Sequence, residues 1–142
     1  HQAKPRKIRY MSLKIITPEG WKRPRGYSNA VSAAGRLVFV AGQIGWTELE
    51  EWQSDDLVGQ TAQTLRNVIA LLQAAEAGPE HIARMTWYVT DRQDYLANLQ
   101  GIGEAYREII GRHYPAMTAV EVSGLIEDRA LVEIECTAVV PH

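Results

Sequence analysis

Apolar positions change their spacing several times along the chain. Arg36-Leu37-Val38-Phe39-Val40-Ala41-Gly42 is a short apolar run, rich in β-branched and aromatic residues, after the turn signal Ala34-Gly35. It predicts a buried strand, with residues 27–33 as its hairpin partner. From Asp55 the spacing becomes helical: Leu57, Thr61, Leu65, Val68, Leu72 and Ala75 recur at three- and four-residue steps. Ser54 or Asp55 is placed to cap that helix, and Gly78-Pro79 to stop it. Residues 83–90 predict a strand. Asp91 then offers a cap for a second helix with Leu96, Leu99, Ile102, Gly103, Tyr106 and Ile109/Ile110 as its buried stripe. Gly101 and Gly103 within it cost roughly 1 kcal/mol each relative to alanine, unless they admit close packing. Residues 117–122 and 130–139 are the last two strands. In the latter, Leu131, Glu133 and Glu135 fall on one face and Val132, Ile134 and Cys136 on the other.

The order is strand, strand, helix, strand, helix, strand, strand, an α+β chain. Strands on either side of each helix imply crossover connections and a partly parallel sheet. Both helices then pack on one sheet face. A chain of 142 residues supplies no third layer for the other. The bare face predicts association between subunits.

Length and an apolar share of 46% fit one packed domain. One cysteine, Cys136, excludes an intrachain disulfide and a cysteine-built zinc site, and points to a cytoplasmic setting. No apolar run approaches the ~18–20 residues of a membrane helix, and the start does not read as a signal peptide. Residues 1–10 have no Met at their head and are followed by Met11. They read as a cloning remnant or an upstream extension, and residues 11–142 as the single domain. The chain holds 15 basic and 17 acidic residues, with four of the basic ones in the first ten; the rest holds 11 against 17, a formal charge of −6. Such a domain lacks the basic footprint that neutralises phosphates, which argues against a nucleic-acid partner.

Few residues offer chemistry. Gly42-Gln43-Ile44-Gly45 lacks the following helix and the lysine of a phosphate loop, and no serine sits in a G-x-S-x-G turn. The histidines, His1, His81, His113 and His142, do not pair at ligand spacing, so no metal site is expected. His113, after the second helix, suits a surface or capping role. Cys136 has no basic sequence neighbour and reads as a core residue. Glu133 is more informative: a carboxylate inside the apolar strand Leu131–Cys136 is costly unless paired, hydrated or functional. From pattern alone a solvated strand face is the readier explanation, and Glu121 shares the ambiguity.

Across residues 18–140 the chain resembles the reactive intermediate deaminase (Rid, YjgF-like, L-PSP endoribonuclease-like) superfamily. The resemblance is carried by Tyr27-Ser28-Asn29-Ala30-Val31, Leu37–Ile44 (an L-x-F-x-S-G-Q-I strand with Ala41 for Ser), and Gln63-Thr64-Leu65-Arg66-Asn67-Val68. Tyr88-Val89-Thr90-Asp91, Pro115-Ala116-Met117-Thr118 and Val132-Glu133-Ile134-Glu135 continue it in the same order.

The resemblance implies a chorismate mutase-like fold, a mixed sheet of about six strands with two helices on one face. It implies a homotrimer with clefts between subunits. It also implies hydrolysis of imines or enamines of small molecules without metal or organic cofactor; some members carry an endoribonuclease attribution. Glu133 matches the acidic residue that activates water, and Tyr27 the cleft tyrosine. Gln100 falls near a position often held by Asn. Met117 stands where ketoacid-forming members have an arginine that clamps the substrate carboxylate, and Ala119 where many have Cys. Loss of that clamp, whose charged hydrogen bonds are worth roughly 1.5–3 kcal/mol each, implies a divergent subgroup with a cleft altered toward a larger or uncharged substrate. Arg25, two residues before Tyr27, is a candidate replacement cation, against a solvated basic loop. Trp46 is a candidate for the cleft mouth, and Trp87 for core or interface. Rings there favour a planar or conjugated substrate, though packing explains them as well. The leading expectation is an imine or enamine hydrolase. The alternative is a non-catalytic ligand-binding or regulatory trimer, with an endoribonuclease third.

Overall fold

The computed structural model describes residues 13–142. Residues 1–10, set aside above, lie outside the described residues. Strands β1 (Lys14–Ile16) and β2 (Ala30–Ser32) pair antiparallel in a small ribbon. The main sheet holds β3 (Arg36–Ile44), β4 (Ile82–Val89), β5 (Ala116–Glu121) and β6 (Val132–Val140) in the order β3-β6-β4-β5. Here β6 lies antiparallel to both neighbours, and β4–β5 is the parallel pair.

The predicted hairpin between residues 27–33 and β3 is not formed. Ser28 bridges to Ala116 at the β5 edge and its N–H donates to the Pro115 carbonyl at 3.0 Å. Because β3 lies at the opposite edge, the chain after Ser28 crosses the end of the sheet rather than folding back on itself.

Helix α1 (Leu57–Ala74) is capped by Asp56, whose carboxylate accepts from the Gly59 N–H at 2.7 Å. The cap thus falls one residue beyond Asp55, which instead pairs with Arg129 at 2.6 Å. Ser54 braces the cap by accepting from the Asp56 N–H. The helix ends before Gly78-Pro79, with Glu76 in the left-handed region at φ 57°.

The predicted second helix is two: α2 (Arg92–Ala97) and α3 (Leu99–Ile109). Asn98 makes the break. Its Nδ2 donates to the Asp94 carbonyl and carboxylate, both at 2.8 Å, and so competes with the backbone for a helical acceptor. Gly101 explains how α3 approaches α1, since a β-carbon there would meet Val58 at 3.0 Å. A β-carbon at Gly103 would meet only the Arg107 side chain.

The helices cover one sheet face. Leu65, Val68 and Leu72 of α1 and Ile102 and Tyr106 of α3 bury against Met85, Trp87, Val132, Ile134 and Ala138. Full burial of such aliphatic side chains contributes roughly 1.5–3 kcal/mol each. Among the described residues no helix covers the opposite face. Phe39 is 73% exposed there and Leu37 56%. Beside Phe39 a hollow of about 440 Å³ is lined by Arg84, Thr86, Glu135 and Thr137. No helix among the described residues is long and apolar enough to cross a membrane.

Candidate active site

The alternation of β6 decides which way its carboxylates point. Val132, Ile134 and Cys136 bury under the helices, so Glu133 and Glu135 face the uncovered side, both half-buried. Opposite Glu133 stand Ile44 on β3 and Tyr88 on β4. The register of β3 shifts between Val40 and Gln43, which brings Gly42 under the Glu133 side chain. A β-carbon on Gly42 would lie 2.8 Å from Glu133 Cδ and Oε2. A glycine within a strand often marks such an approach, and it is the signal that could have joined Gly42 to Glu133 in the sequence.

The neighbouring carboxylate is engaged. Tyr88 donates its hydroxyl to Glu135 Oε1 at 2.7 Å. That bond, with burial and the two carboxylates, holds the Tyr88 phenol above its usual range, and Arg84 opposes the shift. Among the described residues no donor bonds the Glu133 carboxylate.

The start of β6 is fixed from α1. Gln60 is 1% exposed. Its Oε1 accepts from the Leu131 N–H at 2.8 Å, and its Nε2 donates to the Arg129 carbonyl at 2.9 Å and to the Ser54 carbonyl at 3.2 Å. Gly45 lets the strand end pass, since a β-carbon there would meet Gln60 at 2.6 Å. Asn67 donates to the carbonyls of Ile44 and Trp46, so the Gln63–Val68 motif pins the end of β3.

A second group of the candidate residues lies on the helix side. Met117 is half-buried against the core and lines a cavity of about 310 Å³ with Arg25, Trp87, Tyr95, Ile102 and Tyr106. Tyr27 is exposed in an adjoining hollow, held by Ser28, whose Oγ donates to the Tyr114 carbonyl at 2.5 Å. Ala119 lines a smaller hollow of about 210 Å³ that shares Tyr95. Tyr106 belongs to the predicted packing stripe and Tyr95 lies outside it, and no sequence motif marks either as a cavity wall.

The remaining candidates stand outside these cavities. Trp46 packs on Trp52 with ring centroids 5.7 Å apart, and the Arg129 guanidinium sits over Trp52 at 5.4 Å. Gln100 is exposed on α3 and donates to Glu104 at 3.3 Å. Asp91 caps α2 as expected, its carboxylate accepting from the Gln93 and Asp94 N–H groups, and the exposed Glu121 accepts from the Arg92 N–H at 2.6 Å. His113 does not cap a helix: its Nε2 donates to the Ile82 carbonyl at 2.7 Å, since a carbonyl only accepts. Cys136 is buried, and desolvation pushes its thiol up to about 12. Among the described residues no three His, Cys, Asp or Glu side chains cluster as metal ligands would.

The site is therefore split. Met117 and Glu133 belong to one sheet but to its opposite faces.

A two-layer α+β chain with this strand order and a carboxylate on its bare face defines the class. Residues 21–140 match the family model described as Endoribonuclease L-PSP. The chain belongs to this family, which includes the RutC, YjgF and Rid proteins. It is 37% identical over 126 residues to a RutC family protein of Pyrococcus horikoshii, covering 87% of this chain and 95% of that one. It is 33% identical over 108 residues to an Escherichia coli protein provisionally named reactive intermediate deaminase TdcF, covering 74% of this chain and 80% of that one. Among solved structures, the Rid family protein YyfB of Yersinia pestis superposes with a TM-score of 0.82 at 32% identity, over 92% of this chain and all of that one.

Proposed function

We propose that this protein hydrolyses imines or enamines of small molecules, in clefts formed between the subunits of a homotrimer. The observation that carries this reading is Glu133: a half-buried carboxylate without a bonded donor, held over Gly42 on the sheet face that no helix covers. The exposed Phe39 and Leu37 on that face supply apolar area for a neighbouring subunit. The split between Glu133 and the Met117 cavity also supports a cleft built from two protomers.

In the proposed reaction, water attacks the imine carbon and Glu133 takes its proton. The C=N π pair moves to nitrogen, which takes that proton from Glu133. Collapse of the tetrahedral intermediate re-forms a carbonyl and breaks the C–N bond, the hydroxyl proton passing through Glu133 to the nitrogen, which leaves as ammonia. Tyr27 orients substrate or water through its hydroxyl. Met117, with no charge and no donor, leaves the carboxylate clamp of ketoacid-forming relatives without its arginine.

The test is ammonia release from a panel of enzymatically generated imines, with wild type and Glu133→Gln side by side. A general acid–base is worth about 10²–10⁴-fold in rate, and Gln keeps the volume but cannot shuttle a proton. The expected result is turnover by wild type and its near loss in the variant, with the assembly unchanged. Equal turnover by both would remove Glu133 from the mechanism. Saturable binding with no turnover of any imine would favour a ligand-binding trimer. The family model's description names an endoribonuclease, but the formal −6 of residues 11–142 opposes a phosphate-binding surface.

A further inference from the structure

Strand β6 carries two carboxylates on its uncovered face, and their surroundings differ. Met85, Trp87 and Val89 of β4 bury under the helices, so Arg84, Thr86 and Tyr88 alternate onto the same open face as Glu133 and Glu135. The register sets Tyr88 directly opposite Glu133 and Thr86 opposite Glu135. Directly opposed side chains have β-carbons about 4.5–5.5 Å apart, and diagonal neighbours stand about 7–8 Å apart. Tyr88 nonetheless passes over its direct partner and donates its hydroxyl to the diagonal one, Glu135 Oε1, at 2.7 Å. Glu133 lies over Gly42 on its other side, with no donor bonded to it among the described residues. Both carboxylates help to hold the Tyr88 phenol above its usual range, so the hydroxyl keeps its proton and stays a donor. A phenol deprived of Glu135 therefore turns to the next acceptor in reach, and by register that is Glu133.

We infer that Glu135 is a positioning residue: by holding the Tyr88 hydroxyl on the diagonal, it keeps that hydroxyl off Glu133 and leaves the Glu133 carboxylate free to take a proton from water. The inference rests on the reading of Glu133 as the acid–base group of an imine hydrolase, and it gives the second carboxylate of the strand a role in the same site. A carboxylate that accepts a hydrogen bond from a phenol is a weaker base, and the donor occupies an oxygen that water must reach. Glu135 touches no reacting atom. It needs only an acceptor oxygen, whereas Glu133 needs a carboxylate that can carry a proton. Amide replacements at the two positions therefore have different effects.

The experiment compares Glu135→Gln, Glu135→Leu, Tyr88→Phe and the Glu135→Leu/Tyr88→Phe double variant in the full-chain protein. Each is followed by ammonia release and by carboxyl carbon-13 NMR of glutamate-labelled protein, with Glu133→Gln assigning the Glu133 resonance. Glu135→Leu should lower kcat about tenfold or more with KM little changed, because Tyr88 then bonds Glu133. Adding Tyr88→Phe should return kcat to the level of Tyr88→Phe alone, a coupling that independent sites do not show. Glu135→Gln, which keeps an acceptor for Tyr88, should retain most of the wild-type rate, in contrast to Glu133→Gln. The Glu133 resonance should move in Glu135→Leu and return in the double variant. A merely structural role for Glu135 gives a double variant no better than Glu135→Leu, and that result would overturn the inference. So would wild-type kcat in Glu135→Leu, or a Glu133 resonance that does not move. Glu135→Ala repeats the series where light scattering or circular dichroism shows that Glu135→Leu has not folded or assembled. If wild type hydrolyses no imine, the hydrolase reading fails by itself, and the Glu133 resonance alone decides whether Glu135 keeps Tyr88 from Glu133.

Discussion

Gly42 and Glu133 face each other across the β3–β6 pair so closely that a single added carbon would separate them: a β-carbon on Gly42 would lie 2.8 Å from the Glu133 carboxyl. Gly42 is not in the left-handed region, so alanine suits its backbone. The clash falls on the far end of a flexible side chain. Gly42→Ala should therefore leave thermal stability within about 1 kcal/mol while displacing the carboxylate. A misplacement on the scale of an ångström costs about 10²-fold in rate. Steady-state ammonia release should show a fall in kcat of that order with KM little changed. An unaltered kcat would mean that the seat over Gly42 does not position Glu133.

The fold was legible where one period held over a whole element. Leu57, Leu65, Val68 and Leu72 gave α1, and the Val132/Ile134/Cys136 alternation gave both β6 and the outward direction of Glu133. It was less legible where a side chain took over the backbone's role. Asn98 breaks the second helix by bonding Asp94, a competition that spacing does not encode. Ser28 sends its segment to β5 through long-range bonds to Tyr114 and Pro115, which no local turn signal foretells. The candidate site shows the same division. Resemblance placed Glu133, Tyr27 and Met117 in one motif set. Only the strand register separates Glu133 from Met117 on opposite faces, and only packing joins Arg25 to Trp87 and Tyr106.

Met117 bears on substrate size. With a thioether where a cation would grip a small carboxylate, hydrolysis of 2-aminoacrylate should be slow. Charged hydrogen bonds of roughly 1.5–3 kcal/mol each correspond to about 10–10²-fold per bond. Met117→Arg should raise kcat/KM on 2-aminoacrylate by at least tenfold. Fast hydrolysis by wild type, abolished by Arg25→Ala, would show instead that Arg25 serves small acids directly.

Cys136 should be inert in the native protein. With its thiol pushed up to about 12 by burial, the thiolate fraction at pH 8 is about one part in ten thousand, and the thiolate is the reacting species. Titration with Ellman's reagent should find no fast thiol at pH 8 and one thiol per chain after denaturation. A rapid native reaction would place Cys136 at an accessible site.

Gln60 should be a stability determinant. Replacing it by Leu keeps the bulk but strands the Leu131 N–H and the carbonyls of Arg129 and Ser54, of which the first two flank the buried Ala130. Unsatisfied buried groups cost about 1–3 kcal/mol each, so urea denaturation should show a loss in that range or above. Gln60→Glu should be closer to wild type at low pH, where the protonated carboxyl again offers one donor and one acceptor.

The last prediction tests the split site. Glu133 lies on the bare sheet face and Met117 with Arg25 on the helix side of the same protomer, so one substrate cannot meet both groups within one chain by the shortest path through a closed sheet. A trimer of about three times 15.9 kDa should be seen by light scattering. Phe39→Glu, which puts a charge on the exposed apolar face, should dissociate it. If each cleft takes Glu133 from one subunit and the cavity from the next, two crippled variants should complement. Glu133→Gln and Arg25→Ala, each nearly inactive alone, would be denatured together, refolded at equal ratio and assayed on the best imine. Random assembly leaves about one cleft in four with both native groups, so about a quarter of wild-type turnover should return. Mixing the folded variants without exchange should return nothing. Activity no higher than the sum of the two variants after co-refolding would mean that the groups act within one protomer or not together at all.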